Sequence, residues 1–217
     1  MPSTDWALFS PSPRQLAAIK VALFSLCLLP LAVLVADAIA DRLGANPVEA
    51  VTRGLGDWAL RLLLITLAVT PLRKLSGWHW LLRLRRMLGL FCFFYAALHL
   101  AAYVWADQFF DWAAIFDDIL KRPFITVGFI AFSLLVPLAA TSSNAMIRRL
   151  GGRNWQRLHR LVYPAALLGV LHFYWMVKLD TREPLLYAAI LAFLLGIRLY
   201  WHWRAGGFRP ALRACGR

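Results

Sequence analysis

The chain has 217 residues, of which 61% are apolar and only 16% are charged, and its net charge is +13. A soluble globular protein is about 45–50% apolar and roughly a quarter charged, so a mean hydropathy of +0.61 excludes a water-soluble domain and predicts an integral membrane protein. The excess of basic residues does not indicate nucleic-acid binding, because apolar runs interrupt it throughout and leave no soluble basic surface.

Six apolar segments are long enough to cross a bilayer, whose hydrocarbon core of about 30 Å needs roughly 20 mostly apolar residues per helix. They cover about residues 16–37, 57–73, 86–106, 123–147, 158–177 and 184–204. Clusters of glycine, proline and charged residues separate them and predict loops. The sequence therefore predicts an all-α fold, a single polytopic domain over residues 1–217 with six transmembrane helices.

The charges of the loops predict the orientation. If the loops alternate between two sides, one side holds 16 basic residues and one acid, and the other side holds 6 basic residues and 10 acids. Short cytoplasmic loops retain lysine and arginine, so the basic side is cytoplasmic. Both termini are then expected in the cytoplasm, and the third and fifth spans run outward.

The three cysteines do not predict a disulfide framework or a zinc site, because they are scattered and none belongs to a CxxC pair. Cys27 and Cys92 fall in apolar runs, and we interpret them as small hydrophobic residues.

Two of the five histidines lie at matched depth inside the membrane. His99 and His172 each come 13 residues after the inner end of a span, at Arg86 and His159 respectively. Thirteen residues of helix rise about 20 Å. Ionisable side chains at such depth are costly and mark functional sites. Two further histidines, His79 and His202, each lie between two tryptophans at the inner interface, where an amphipathic ring needs no cofactor.

A pair of imidazoles on neighbouring spans is what a bis-histidine haem requires, because the iron takes one axial nitrogen from each side of the ring. Small residues near the two histidines leave room for a planar group; these are Ala96, Ala97, Ala101, Ala102, Ala165, Ala166 and Gly169. Small residues also serve close helix packing, with the histidines as hydrogen-bonding contacts between helices. A histidine relay in a proton or solute transporter is a further alternative. The absence of carboxylates from 87–106, 123–147 and 158–177 counts against it.

His159 lies at the inner end of the fifth span. On an ideal helix it would point about 140° away from His172, unless Pro164 bends the segment. The third span has Arg85 where a second haem would need a partner histidine, so a second bis-histidine haem is not supported. Weak ligation, alternation with another ligand, and contact with a flavin or quinone ring remain open for His159.

Several segments resemble the MsrQ (YedZ) family of haem-binding membrane subunits, part of the ferric-reductase-like transmembrane superfamily. The segments are Gly44-Ala-Asn-Pro-Val48, Arg85-Arg-Met-Leu-Gly-Leu90, Ala97-Leu-His-Leu100, Thr141-Ser-Ser-Asn-Ala-Met146, Trp155-Gln-Arg-Leu-His159, Val162-Tyr163 and Leu171-His-Phe-Tyr-Trp175. They follow the family's order over nearly the whole chain. The resemblance implies that His99, His159 and His172 are the family histidines, that haem b is bound, and that a flavin mononucleotide (FMN) can also be carried.

The resemblance further implies an electron-transfer subunit of the bacterial inner membrane rather than the catalytic reductase. By this resemblance it is expected to take electrons from membrane quinone and to pass them to a periplasmic molybdopterin reductase of the MsrP type, which repairs methionine sulfoxide. Only 14 residues follow Trp203, and there is no GxGxxG motif, so the chain does not draw hydride from a nicotinamide by itself. The alternative within this superfamily is a free-standing ferric or quinone reductase. Membrane lipid is the remaining expected partner.

Two charged clusters allow two interpretations each. The outer loops hold Asp107, Asp111, Asp117 and Asp118. These acids either form a surface on which the partner reductase docks or reflect only the unequal distribution of charge between the two sides of the membrane. The inner loop holds Arg148, Arg149, Arg153, Arg157 and Arg160. These arginines either bind a flavin phosphate or haem propionates, or reflect only the retention of basic residues in cytoplasmic loops.

Overall fold

The computed structural model describes residues 10–177 and 180–206, and in this part of the chain it has helices and no strand, which confirms the all-α prediction. The helices are α1 Pro13–Ile39, α2 Pro47–Ser76, α3 Leu82–Ala102, α4 Trp112–Lys121, α5 Pro123–Ala140, α6 Asn144–Leu150, α7 Gly152–Leu158, α8 Val162–Met176 and α9 Arg182–Gly206. Short 3-10 turns precede α3 and α8, and a π-helical turn, Tyr103–Asp107, follows α3.

Five segments of the described chain are long and apolar enough to cross a membrane: Pro13–Ile39, Pro47–Ser76, His79–Asp107, Pro123–Ala140 and Arg182–Arg204. The remaining predicted span, 158–177, divides into a 3-10 turn and the 15-residue α8. A count of six spans therefore stays a prediction. Both chain ends, with Cys215, lie outside the described residues, so the cytoplasmic placement of the termini is also still a prediction.

Helix α2 begins ten residues before the predicted span. The Asn46 side chain accepts a hydrogen bond of 3.2 Å from the Glu49 N–H, and Pro47 takes the first helical position, where a missing N–H costs nothing. The helix has 30 residues and is about 45 Å long, longer than a hydrocarbon core of about 30 Å. Asp57, the first residue of the predicted span, is therefore well inside the helix.

Helix α5 ends at Ala140, seven residues before the predicted end of the fourth span. The hydroxyls of Thr141 and Ser142 donate to the carbonyls of Pro137 and Leu138, at 2.6 and 2.7 Å. Such bonds offer the last carbonyls an alternative to the helical N–H groups. The Ser143 hydroxyl then accepts from the Met146 N–H and starts α6 as a separate short helix.

The core forms where α2 packs along α3 and where α5 packs along α8. Helix α2 is central and contributes most of the buried leucines, among them the fully buried Leu67. Cys92 of α3 and Cys27 of α1 are buried, and neither forms a disulfide, which agrees with their interpretation as small hydrophobic residues.

Helix α1 is attached loosely, since Leu16 and Cys27 are its buried residues in the described structure. Its main polar contact is Tyr95 of α3, which is only 1% exposed. The Tyr95 hydroxyl donates to the Cys27 carbonyl at 2.7 Å and accepts from the Leu31 N–H at 3.1 Å. Pro30 lies between these two groups and interrupts the helix there, so the tyrosine bridges the interruption.

We expect Tyr95→Phe to lower the stability of the protein by about 1–3 kcal/mol, because the Cys27 carbonyl and the Leu31 N–H lose their shared partner inside the membrane. Thermal unfolding of the detergent-purified protein measures the change. Tyr174→Phe is the matched control, since Tyr174 is 43% exposed. Equal unfolding temperatures for the two variants would contradict the bridging role.

Candidate functional site

His99 of α3 lies against the backbone of α2. Its Nδ1 is 2.8 Å from the carbonyl oxygen of Thr52. A carbonyl only accepts, so Nδ1 carries the proton and Nε2 is left with a free lone pair. The ring comes this close because Gly56 follows Thr52 by one helical turn: a β-carbon on Gly56 would lie 3.1 Å from the His99 ring.

His172 of α8 repeats this arrangement on α5. Its Nδ1 is 2.7 Å from the carbonyl oxygen of Phe124, and the residue one turn later is Gly128. A β-carbon on Gly128 would lie 2.7 Å from His172 Nδ1, closer than real side chains approach. Each histidine ring thus lies over a glycine of a neighbouring helix. Its Nδ1–H donates to the carbonyl of the residue four positions before that glycine.

The two rings lie next to each other. Their centroids are 6.1 Å apart and their planes are inclined by 76°. The matched depth expected for His99 and His172 therefore corresponds to a direct pairing. Both rings are partly buried and both line one cavity.

This cavity, which we call the paired-histidine cavity, has a volume of about 520 Å³. Ligand sites commonly have volumes of about 300–1,000 Å³. Ala96, Ala165 and Gly169 line it, as expected for residues that make room, whereas Ala166 is fully buried in the hydrophobic core. Phe132 forms part of the wall and stacks on Phe93 at 5.6 Å.

Polar groups line the same cavity toward the ends of α2 and α5. Arg53 and Arg122 belong to its lining. Each also forms an ion pair with an acid four residues earlier, Arg53 with Glu49 and Arg122 with Asp118. The Thr52 hydroxyl is buried and has no hydrogen-bond partner in the described structure. These groups could bind carboxylates of a ligand whose apolar part occupies the cavity.

His159 lies in a second cavity of about 450 Å³, which we call the His159 cavity. Its Nε2 is 3.1 Å from the Thr141 hydroxyl, and its ring stacks on Trp155 with 3.9 Å between centroids. Three arginines line this cavity: Arg85, Arg86 and Arg160. Because His159 is in a 3-10 turn, the angle expected from an ideal helix does not apply to it.

The acids of the predicted outer loops form hydrogen bonds and ion pairs within the chain. Asp118 accepts from the Tyr103 hydroxyl at 3.0 Å and pairs with Arg122. Asp111 caps α4 by accepting from the Ala114 N–H, and Asp117 pairs with Lys121. These aspartates organise the segment between α3 and α5, which is a structural role distinct from the two interpretations above.

Sequence reasoning missed Gly56, Gly128 and the two carbonyls. A glycine inside an apolar helix is a sign of close approach by another group, and both glycines carry that sign. No sequence pattern could indicate the carbonyls of Thr52 and Phe124, because every residue has a main-chain carbonyl. Asp57, one position after Gly56, also lines the paired-histidine cavity.

Comparison with known proteins identifies the class. The family described as "Ferric reductase like transmembrane component" matches residues 55–170, a stretch that contains Gly56, Gly128, His99 and His159. The helical fold with histidines between its spans is thus that of a ferric reductase-like membrane protein. No solved structure matches the chain.

Curated relatives make the assignment more specific. The chain is 56% identical over 206 residues to the "Protein-methionine-sulfoxide reductase heme-binding subunit MsrQ" of Herminiimonas arsenicoxydans, with 94% of each chain covered. It is 59% identical to the subunit of that name from Azospira oryzae, covering 93% of this chain and 87% of the relative. For Ralstonia nicotianae the identity is 55%, with 91% and 95% covered. The chain belongs to the MsrQ family.

We expect Gly128→Ala to destabilise the protein, because a new β-carbon 2.7 Å from His172 Nδ1 forces the ring or the helix to move. Gly56→Ala should have a smaller effect of the same sign, since its nearest contact is 3.1 Å. Gly196→Ala is the control: nothing lies within 4 Å, and alanine in a helix gains up to about 1 kcal/mol over glycine. Thermal unfolding ranks the variants, and Gly128→Ala as stable as Gly196→Ala would refute the close fit.

Proposed function

We propose that the chain is the electron-transfer subunit of a methionine sulfoxide reductase system in the bacterial inner membrane. It takes electrons from the membrane quinone pool, carries them through haem b and delivers them to an MsrP-type periplasmic molybdopterin reductase. The pairing of His99 and His172 is the observation that carries the proposal. The names of the relatives, which are heme-binding subunits, agree with it.

The paired-histidine cavity fits haem in several respects. Imidazole–metal bonds are about 2 Å long, so two rings on opposite sides of one metal ion have centres roughly 6 Å apart, and the rings here are 6.1 Å apart. Both Nδ1 atoms donate to carbonyls, which would leave Nε2 as the ligand atom and would raise its basicity. Haem supplies one-electron redox chemistry when bound. His99 and His172 would hold its iron.

The rest of the cavity fits the remainder of the haem. Apolar and small residues line the part that would enclose the macrocycle. Arg53, Arg122 and the unpartnered Thr52 hydroxyl would bind the propionates, which are carboxylates. The chain thus provides two imidazoles that would hold the iron, an apolar enclosure, and a charged side at which Arg53 and Arg122 lie together with Asp57 and Asp107.

The His159 cavity is the proposed site of electron entry. It lies near the end of the helices that carries Arg85, Arg86 and Arg160, the side predicted to face the cytoplasm. His159 and Trp155 present stacked rings, beside which a planar quinone or the isoalloxazine ring of FMN could lie. The arginines would stabilise negative charge on the reduced ring or on a flavin phosphate.

The two cavities are adjacent. Leu63, Cys92 and Leu135 line both, so a single layer of side chains separates them. His159 and His172 are 13 residues apart along the same segment, about 20 Å of helix. An electron that enters at the His159 cavity therefore reaches the paired-histidine cavity across one layer of side chains, and it leaves on the side predicted to face the periplasm.

We expect His99→Ala and His172→Ala each to abolish the bis-histidine b-type absorption spectrum and to lower the haem content per polypeptide, because either change removes one of the two side chains that would hold the iron. His79→Ala and His202→Ala are the matched controls, since both histidines are exposed. Haem and flavin assays on the purified variants measure the result. Unchanged haem content in both His99→Ala and His172→Ala would overturn the assignment, and the flavin assay decides whether FMN is carried.

We expect His159→Ala to keep the haem bound by His99 and His172 but to slow its reduction by a quinol about tenfold or more, because the change removes a ring from the entry site. The measurement is the rate of haem reduction in proteoliposomes, followed by transfer to an added MsrP-type reductase. His202→Ala is again the control. If His159→Ala is reduced at the wild-type rate, electrons do not enter beside His159. If electrons reach ferric chelates but never the reductase, the chain is instead a free-standing reductase.

A further inference from the structure

A membrane-facing groove lies between α1 and α3, outside both histidine cavities. Its volume is about 870 Å³. Phe24 and Leu28 line it from α1, and Leu90 and Phe94 line it from α3. Three basic residues form the rim at one end: Lys20, Arg83 and Arg86. The groove is therefore apolar along its length and cationic at one end.

The groove has the depth of one leaflet. From Arg83 to Phe94 the helix rises about 16 Å, which is close to half of a hydrocarbon core of about 30 Å. The basic end is also the end that the charge distribution places at the cytoplasmic interface. A single acyl chain of a phospholipid in the inner leaflet has the length of this groove.

The groove lies beside the contact that Tyr95 makes between α3 and α1. Tyr95 attaches α1 near Pro30, and below that point the facing side chains leave a gap. Phe24 is 48% exposed, Leu90 40% and Phe94 37%. Phe24 packs edge-on against Phe91 at 5.1 Å and so forms the floor of the groove.

Two basic residues of the rim, Lys20 and Arg83, have no acidic partner among the described residues. Arg86 donates to the Asn144 side chain at 2.7 Å. Lys20 and Arg83 are exposed, and no carboxylate of the described chain lies within ion-pair distance of either. A ligand of the groove therefore meets two cations without an acidic partner. An uncharged quinone headgroup would leave both unpaired, whereas a phosphate would pair with them.

We propose that this groove binds an anionic phospholipid, with an acyl chain between α1 and α3 and the headgroup phosphate at Lys20 and Arg83. Basic pockets between transmembrane helices on the cytoplasmic side are known to select anionic headgroups. The bound lipid fills the gap and thereby stabilises the attachment of α1.

The test compares retention of phosphatidylglycerol and phosphatidylcholine by the full-length protein. Native mass spectrometry of the detergent-purified protein, titrated with each lipid, gives the two affinities. One basic side chain beside an anionic headgroup contributes roughly a fivefold factor in affinity, so Lys20→Gln with Arg83→Gln should weaken phosphatidylglycerol binding by about 25-fold. Phosphatidylcholine binding should change less, because its choline cation neutralises the charge of its phosphate.

The matched control is Arg148→Gln with Arg149→Gln. These arginines are exposed on α6, on the same predicted side of the membrane, and do not line the groove. The control removes the same charge, and it should retain the wild-type preference for phosphatidylglycerol. If it loses as much affinity as the Lys20 and Arg83 variant, general surface charge explains the binding and the site is refuted.

A second variant tests the apolar part without a change of charge. Leu90→Trp places a large ring in the groove and should lower retention of both lipids. It also keeps the proposal falsifiable if the double glutamine variant does not fold. Equal affinity of the wild-type protein for phosphatidylglycerol and phosphatidylcholine would overturn the proposal, and so would unchanged retention in Leu90→Trp.

Discussion

The hydrogen bond from a histidine ring to a main-chain carbonyl of a neighbouring helix is the contact on which this fold and its candidate site both depend. It occurs twice, from His99 to Thr52 and from His172 to Phe124. Each carbonyl precedes a glycine by four residues, and the missing β-carbon lets the ring reach it. The bonds join α2 to α3 and α5 to α8, the two most extensively packed helix pairs. The contacts that orient the rings are therefore also contacts that hold the helices together.

The sequence could predict the two histidines because depth in a membrane follows from helix length and charge sorting. It could not predict Gly56 and Gly128 as parts of the site, since glycine in an apolar helix serves ordinary close packing equally well. The predicted span 123–147 extends seven residues beyond the end of α5, because apolarity continues to Ile147 while Thr141 and Ser142 terminate the helix through their hydroxyls. The orientation of His159 required knowledge of a 3-10 turn, which periodicity does not reveal.

The arginines inside the spans have structural partners. The Arg61 Nε of α2 donates to the Tyr187 hydroxyl of α9 at 2.7 Å. Arg198 of α9 donates to the Leu194 carbonyl of its own helix and to the Leu67 carbonyl of α2. Its guanidinium also lies over the ring of Tyr163, 5.8 Å from the centroid. Charges that would be costly in lipid thus attach α9 to α2 and α8, and intramembrane charge in this chain does not by itself indicate a transport pathway.

If electrons pass between the two cavities as proposed, the layer between the cavities bears on how electrons and protons are separated. Leu63, Cys92 and Leu135 form it, and Cys92 is only 2% exposed. Leucine side chains offer no hydrogen-bonding group, and a buried thiol is a weak donor, so the layer provides no chain of donors and acceptors for a proton. Electron transfer requires only proximity, which a single layer of side chains supplies. The same apolar packing that stabilises α2, α3 and α5 would then let electrons cross between the cavities while protons remain on the side where they were released.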